Sequence, residues 1–443
     1  MGSRRVEGWP SVQREEWSCS CSEHRLLPCS LVLEFSMETD LIASKERNFV
    51  PITKRLVFHI GGYDPITPPQ GAYRRFLREL SRFERTWSVK ASVGAPDVST
   101  DEMKWTVTTT GPNWRVESNY HLVRWDDVIQ AQSRQPLWRR LPLGILAFLD
   151  FVFAGALWGY FRTNWHYAVF FLYPFTLFFV LVVIALTTGR LIGRADALIG
   201  SLAGLATFAV LLAGPWRWLH LAPLFDDWIF SRIYIRVGCP VLSRRLDRIA
   251  QQVIEAATKS SVEEILLVGH SLGAVLAVDL INKILALQPA LGLGGRRVAF
   301  LTIGSSILKI GLHRDASDFR AAVERVASAP GVFWGDYQAR VDIMNFYGTD
   351  PMVEMALIPN GRPVVRLVEI GRMLEHAMYR QLRLRFFRLH CQFISGNDRR
   401  AEYDYFMLVC GPLAAEHQTL MPDGAQGAIG QDGALLSHRG ACQ

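Results

Sequence analysis

Charge is scarce in this 443-residue chain: only 20% of the residues are Asp, Glu, Lys or Arg, while half are hydrophobic. So little charge in so apolar a composition excludes a disordered or low-complexity chain, and it raises the question of where the apolar excess is placed. Paired cysteines are also lacking. The seven (Cys19, Cys21, Cys29, Cys239, Cys391, Cys410 and Cys442) form no CxxC, and no His/Cys cluster has zinc spacing. That excludes a sequence-recognisable zinc module and reads as free thiols in a reducing compartment. Internal repeats, a phosphate-cradling glycine loop and a nucleic-acid module are missing too. The net charge of +7 is therefore left for a surface that faces anionic lipid rather than nucleic acid.

Long uncharged runs are what the chain does have. Leu141–Phe161 carries one charge, Asp150, and Tyr167–Leu186 carries none. Both reach the roughly 20 residues that a helix needs to cross a hydrocarbon core of about 30 Å. Residues 197–214 form a further uncharged run of Ala, Gly, Leu and Val, expected to be re-entrant, packed in the bundle, or half of a hairpin with an atypical return. Trp138, Trp158, Trp165, Tyr167, Trp216 and Trp218 flank these segments, where amphipathic rings prefer the interface. Asp150 should face another helix. Arg134, Arg139, Arg140, Arg190 and Arg194 lie outside the two long segments and only Arg162 between them, so the positive-inside rule predicts a multi-pass protein with its globular parts on the cytoplasmic side.

Around this insertion the pattern is that of an α/β domain. Arg55–Ile60 reads as a strand ending at Gly61-Gly62, and Tyr73, Phe76, Leu77, Leu80 and Phe83 mark a helix. Lys104–Thr110 and Trp114–Val123 read as a hairpin about Gly111-Pro112-Asn113. The boundaries expected are a tail over 1–50, globular parts over 51–135 and 237–415, an insertion over 136–236, and a flexible tail over 416–443. Residues 1–36 lack a periodic pattern and a signal peptide, and read as disordered or as an upstream extension before Met37.

One motif carries chemistry. The apolar strand Val262–Val268 runs into Gly269-His270-Ser271-Leu272-Gly273, and a helix opening with Ala274 and Ala277 follows. A nucleophilic serine on a tight strand-to-helix turn needs small neighbours two residues away, which G-x-S-x-G provides. With His59-Ile60-Gly61-Gly62 and Leu301-Thr302-Ile303-Gly304-Ser305, this motif resembles the α/β-hydrolase superfamily, its lipase and esterase branches in particular, over roughly 54–130 and 237–415. The resemblance implies a mostly parallel sheet flanked by helices, interrupted here by the membrane insertion, and acyl transfer to serine without metal or organic cofactor.

It also implies an acid and then a histidine downstream of the serine. Residues 342–347 read as a strand, which puts Asp350 in the loop at its carboxyl end and makes it the expected acid, with Asp336 and Asp342 as fallbacks. His390 is the expected base and His376 the alternative, while His270 inside the elbow reads as a neighbour. The N–H of Leu272 and one from the Gly61–Tyr63 loop, where Gly61 and Gly62 give the backbone room, should form the oxyanion hole. The expected activity is hydrolysis of an acyl ester of a lipid or other amphiphile at the bilayer. A thioesterase or peptidase on the same triad, or a catalytically silent membrane scaffold, stays open.

Overall fold

In the computed structural model, residues 50–436 are described, apart from positions 260 and 359. The expectations for residues 1–36 and for the end of the chain beyond 436 lie outside the described residues.

The strands assemble into one nine-stranded mixed sheet. In chain order they are β1 (Lys54–Ile60), β2 (Lys90–Val93), β3 (Asp97–Val98), β4 (Glu102–Thr110), β5 (Arg115–Val123), β6 (Glu264–His270), β7 (Arg297–Ile303), β8 (Phe333–Gln338) and β9 (Val364–Leu367). Their spatial order is β2-β4-β5-β1-β6-β7-β8-β9, with β3 against β4. From β5 through β9 every pairing is parallel, and the β2, β3 and β4 pairings are antiparallel. The α/β class and the mostly parallel, helix-flanked sheet therefore agree with the sequence reading. β6 is buried along its whole length, as a central parallel strand covered on both faces must be. Helices α1 (Pro69–Trp87), α7 (Pro240–Lys259) and α8 (Gly273–Leu287) flank the sheet.

Two charged residues, one in β1 and one in β6, are buried in these strands as a pair. Arg55 is fully buried, pairs with Glu264 of β6 at 2.5 Å, and donates to the carbonyls of Gly411 and Leu413. Glu264 in turn accepts from the Ala415 N–H, so this pair fastens the C-terminal segment to the sheet. Removing one member leaves an uncompensated buried charge, which typically costs about 3–5 kcal/mol. Arg55→Met is accordingly expected to lower the thermal unfolding temperature strongly, as read by a melt in detergent.

The expected flexible tail from 416 is corrected as far as 436. Thr419 bonds the Tyr337 hydroxyl at 2.9 Å, and Ala425, Ala428 and Ile429 are buried in the core. Trp114 Nε1 donates to the Gly433 carbonyl at 2.9 Å. Few large apolar residues mark this stretch, so its order comes from backbone carbonyls caught by distant side chains.

The insertion also departs from expectation. The segment 141–161 is not one straight helix: it divides into α2 (Leu137–Phe153) and α3 (Ala156–Thr163), which together are long and apolar enough for a broken span but are bent by 65° where Gly155 takes a φ of 80°. Asp150 explains the placement. It is held by Arg232 at 3.1 Å and Arg236 at 2.5 Å, both on α6 (Leu221–Arg236). Arg236 also pairs with Asp315 beyond β7. These ion pairs fasten α2 to the α/β body.

Among the described residues one single helix, α4 (Trp165–Ile192), is long and apolar enough to cross a membrane, with a mean hydropathy of 2.7 over its best window and 28% of that window buried. The first turns of α4 belong to the body: Asn164 caps it by accepting from the N–H groups of His166 and Tyr167, and Tyr167 stacks on Phe346 at 3.9 Å. Beyond Leu177 its partner is chiefly α5 (Ala197–Ala213), which returns antiparallel from a turn at residues 193–196. The two backbones touch: a Cβ on Gly200 would lie 2.3 Å from the Gly193 Cα, so only glycine fits. Around this seam the hairpin is apolar and exposed, with Phe179, Leu186, Leu198, Leu205 and Val210 turned outward. Arg190 and Arg194 sit near the hairpin tip, away from the root at Trp165. The flank comparison that placed the globular parts on the cytoplasmic side presumed that these arginines border the body, and it loses its premise.

Candidate active site

β6 delivers Ser271 to the carboxyl edge of the sheet at a backbone φ of 55°, a left-handed value that a non-glycine residue rarely adopts. The turn survives because its neighbours have no bulk. A Cβ on Gly273 would lie 2.1 Å from the Ile60 carbonyl, so α8 can begin against the end of β1 only with glycine there. The Ser271 N–H donates to the Ile303 carbonyl at 3.1 Å, and its carbonyl accepts from the Ser306 N–H at 3.2 Å. The strained serine is thus locked between β1 and β7 with its side chain at a cavity.

That cavity, about 270 Å³, is lined by Ser271 and His390 together with Gly61, Gly62, Tyr63, Ile66, Trp125, Met344 and Phe387. Gly62 presses on the serine: a Cβ there would be 2.8 Å from the Ser271 Cβ and 3.2 Å from its Oγ. The N–H groups of Leu272, Gly62 and Tyr63 have no hydrogen-bond partner among the described residues. The Gly61 carbonyl accepts from Trp125 Nε1 at 3.0 Å, which fixes the loop. The expected oxyanion donors therefore sit beside the serine with their hydrogens unspent.

His390 ends the short helix Phe386–His390 and is buried. Its Nδ1 bonds the Asp342 carboxylate at 2.7 Å, and its Nε2 has no partner among the described residues. An imidazole held by a carboxylate at one nitrogen and free at the other is oriented to take a proton. Asp342 is itself held: its other oxygen accepts from the Met344 N–H at 3.0 Å. Asn345 ties the loop by donating to the Ala339 and Asp342 carbonyls at 2.9 and 2.6 Å.

The acid expected at Asp350 is corrected. Asp350 accepts from the Met352 N–H at 2.8 Å and caps the turn Pro351–Glu354, its nearest ion-pair partner being Arg362 at 3.7 Å. The error lies in the strand assignment. Residues 342–347 are loop, the strand before them is β8 (Phe333–Gln338), and Asp342 lies just past its carboxyl end. The carboxylate that meets His390 thus also follows a strand, one strand earlier than expected. Asp336 serves elsewhere: Thr302 and Gln338 hydrogen-bond its two oxygens, and burial pushes its carboxyl up to about 6. His376 is exposed at the start of the helix His376–Leu382, away from Ser271. Asn345 escaped the sequence reading altogether, because an Asn three residues beyond an Asp signals nothing until the loop is folded.

Two further histidines crowd the site. The His270 ring lies 4.7 Å from that of His390, and burial, reinforced by His390, drives its pKa well below 6.5. His59 bonds the Tyr405 hydroxyl at 3.1 Å, and burial with the nearby Arg75 lowers its pKa to about 3. The unfolded chain therefore takes a proton on His59 near pH 6.5 while the folded chain does not. Stability is lost as pH falls below 6.5, by about 1.4 kcal/mol per unit, until the folded pKa is reached. His59→Phe is expected to remove that share: between pH 7.5 and 5.5 its unfolding free energy should fall about 1.4 kcal/mol less than wild type. An equal fall in both proteins would show that His59 is not buried in its neutral form.

No family model, curated protein or solved structure matches this chain. Among the described residues, no group of three or more His, Cys, Asp or Glu is arranged to hold a metal ion.

Proposed function

We propose that the chain is a membrane-anchored serine hydrolase of acyl esters with an α/β-hydrolase-type fold, acting through Ser271, His390 and Asp342. The observation that carries this reading is the buried His390–Asp342 pair, its Nε2 unbonded, in the same cavity as a serine held at a φ of 55°. His390 Nε2 takes the Ser271 proton as Oγ attacks the ester carbonyl carbon. The N–H groups of Leu272 and Gly62 or Tyr63 receive the oxyanion. The tetrahedral intermediate collapses, the alcohol leaves with the proton from His390, and water then releases the acid by the same route. Asp342 fixes the imidazole tautomer and stabilises the imidazolium.

The anchor in this proposal is the α4–α5 hairpin. At 1.5 Å per residue its exposed arms measure roughly 25 Å each, close to a hydrocarbon core of about 30 Å, so it crosses or nearly crosses a bilayer as a pair. An apolar surface of this extent on a monomer needs a non-aqueous partner. A fluorophosphonate probe applied to membrane fractions tests the function: labelling of wild type and its loss in Ser271→Ala supports the hydrolase. A wild type that does not label, though folded, points instead to a catalytically silent scaffold.

A further inference from the structure

The segment that delivers His390 to the site also runs through the root of the apolar hairpin. Residues 376–390 contain no acidic side chain, and Arg380, Arg383, Arg385 and Arg388 are all exposed. None of the four has a carboxylate within ion-pair distance among the described residues. Between them Leu384 stands 83% exposed, a large apolar side chain among cations. The next two residues turn inward. The Phe386 ring packs at 6.2 Å from Phe170 and 5.9 Å from Tyr173, both in the first turns of α4. The Phe387 ring lies 5.1 Å from His220, which follows the returning arm and the 79% exposed Trp218.

Phe387, His220 and Pro223 all line the cavity that contains Ser271 and His390. The cavity wall, the basic segment and the place where the hairpin leaves the body therefore meet at one point. If the hairpin lies in hydrocarbon, its root lies at the headgroup level. Unpaired arginines there face phosphate, and Leu384 and Trp218 face the acyl boundary.

From this juxtaposition we infer that residues 376–388 form a docking strap for an anionic bilayer surface, which seats the cavity mouth on the leaflet so that the ester enters from the lipid phase. The inference rests on the proposed hydrolase function for its catalytic consequence, but the docking stands on the strap's own charge and its continuity with the hairpin. Each arginine near an anionic surface contributes a factor of about five to the docking equilibrium, so three together shift it by roughly a hundredfold.

The full chain, reconstituted in phosphatidylcholine vesicles with and without phosphatidylglycerol, tests this. Arg380→Gln, Arg383→Gln and Arg385→Gln are combined in one variant, which leaves Ser271, His390 and Asp342 untouched. Two readouts are compared: hydrogen exchange of 376–390, and hydrolysis of a long-chain fluorogenic ester dissolved in the bilayer against a short soluble ester. Wild type is expected to show slower exchange over the strap and faster bilayer-ester hydrolysis on the anionic vesicles. The variant should lose both effects while keeping soluble-ester hydrolysis within about twofold of wild type. Equal strap exchange on neutral and anionic vesicles overturns the docking, as does a variant that keeps the anionic stimulation. If wild type hydrolyses neither ester, the hydrolase reading fails instead, and the exchange comparison still decides the docking.

Discussion

Ser271→Ala is expected to lower ester turnover by roughly 10⁴- to 10⁶-fold and to abolish labelling by a fluorophosphonate, with the protein still folded. The size follows from the role. Without Oγ there is no acyl-enzyme, and what remains is the binding and oxyanion stabilisation that a cavity can give to attacking water. The substitution is clean, because alanine keeps the Cβ that already sits against Gly62 and the backbone already held at a φ of 55°. The hydrogen bonds that lock the turn run from the Ser271 backbone to Ile303 and Ser306, so they persist. A melting temperature close to wild type together with lost labelling is the expected pair of results. Labelling that survives in Ser271→Ala would place the nucleophile elsewhere.

The second large effect separates two aspartates eight positions apart in the same loop region. Asp342→Asn is expected to cost roughly 10⁴-fold in kcat with little change in KM, because the amide can favour the wrong imidazole tautomer and cannot stabilise the imidazolium. Asp350→Ala should leave kcat within about threefold and instead cost about 1 kcal/mol of stability, the usual loss for a helix cap. Steady-state kinetics on a soluble ester and a thermal melt of both variants decide between them. The reverse pattern, activity lost at Asp350 and kept at Asp342, would refute the geometry in which His390 Nδ1 meets the Asp342 carboxylate at 2.7 Å.

The contrast between these aspartates shows how far local pattern reaches. Val262–Val268 and the following G-x-S-x-G were legible because the elbow is a local device: strand, small residues, serine and helix lie within a few positions and constrain one another. His390 was legible by its place between an apolar run and a polar loop. Asp342 was misplaced because Ile343, Phe346 and Tyr347 have the composition of a strand. What keeps them out of the sheet is Asn345, whose side chain replaces ladder bonds with its own bonds to the Ala339 and Asp342 carbonyls. Side chains that capture the backbone in this way compete with strand formation, and the outcome depends on what lies across the loop.

The insertion teaches the same distinction with charge. Composition located the apolar excess in residues 141–214, and one helix there, Trp165–Ile192, has the length and hydropathy of a span. Composition alone did not separate 141–161 from it. The 65° bend sets it apart, and Asp150 within it meets Arg232 and Arg236, more than eighty positions later. A lone acid in an apolar run is expensive in lipid and harmless in an ion pair at the protein surface.

By itself, then, the sequence determined the α/β class, the tight strand-to-helix turn that carries Ser271, and the presence of a long apolar helix, since each is written in local spacing and composition. Only the tertiary structure decided which aspartate meets His390, that α2 and α3 are bent by 65° rather than continuous, and that the arginine segment, the hairpin root and the cavity meet. The first and last of these are pairings between residues far apart in the chain. Their energies depend on distance and burial in three dimensions, which no local period records.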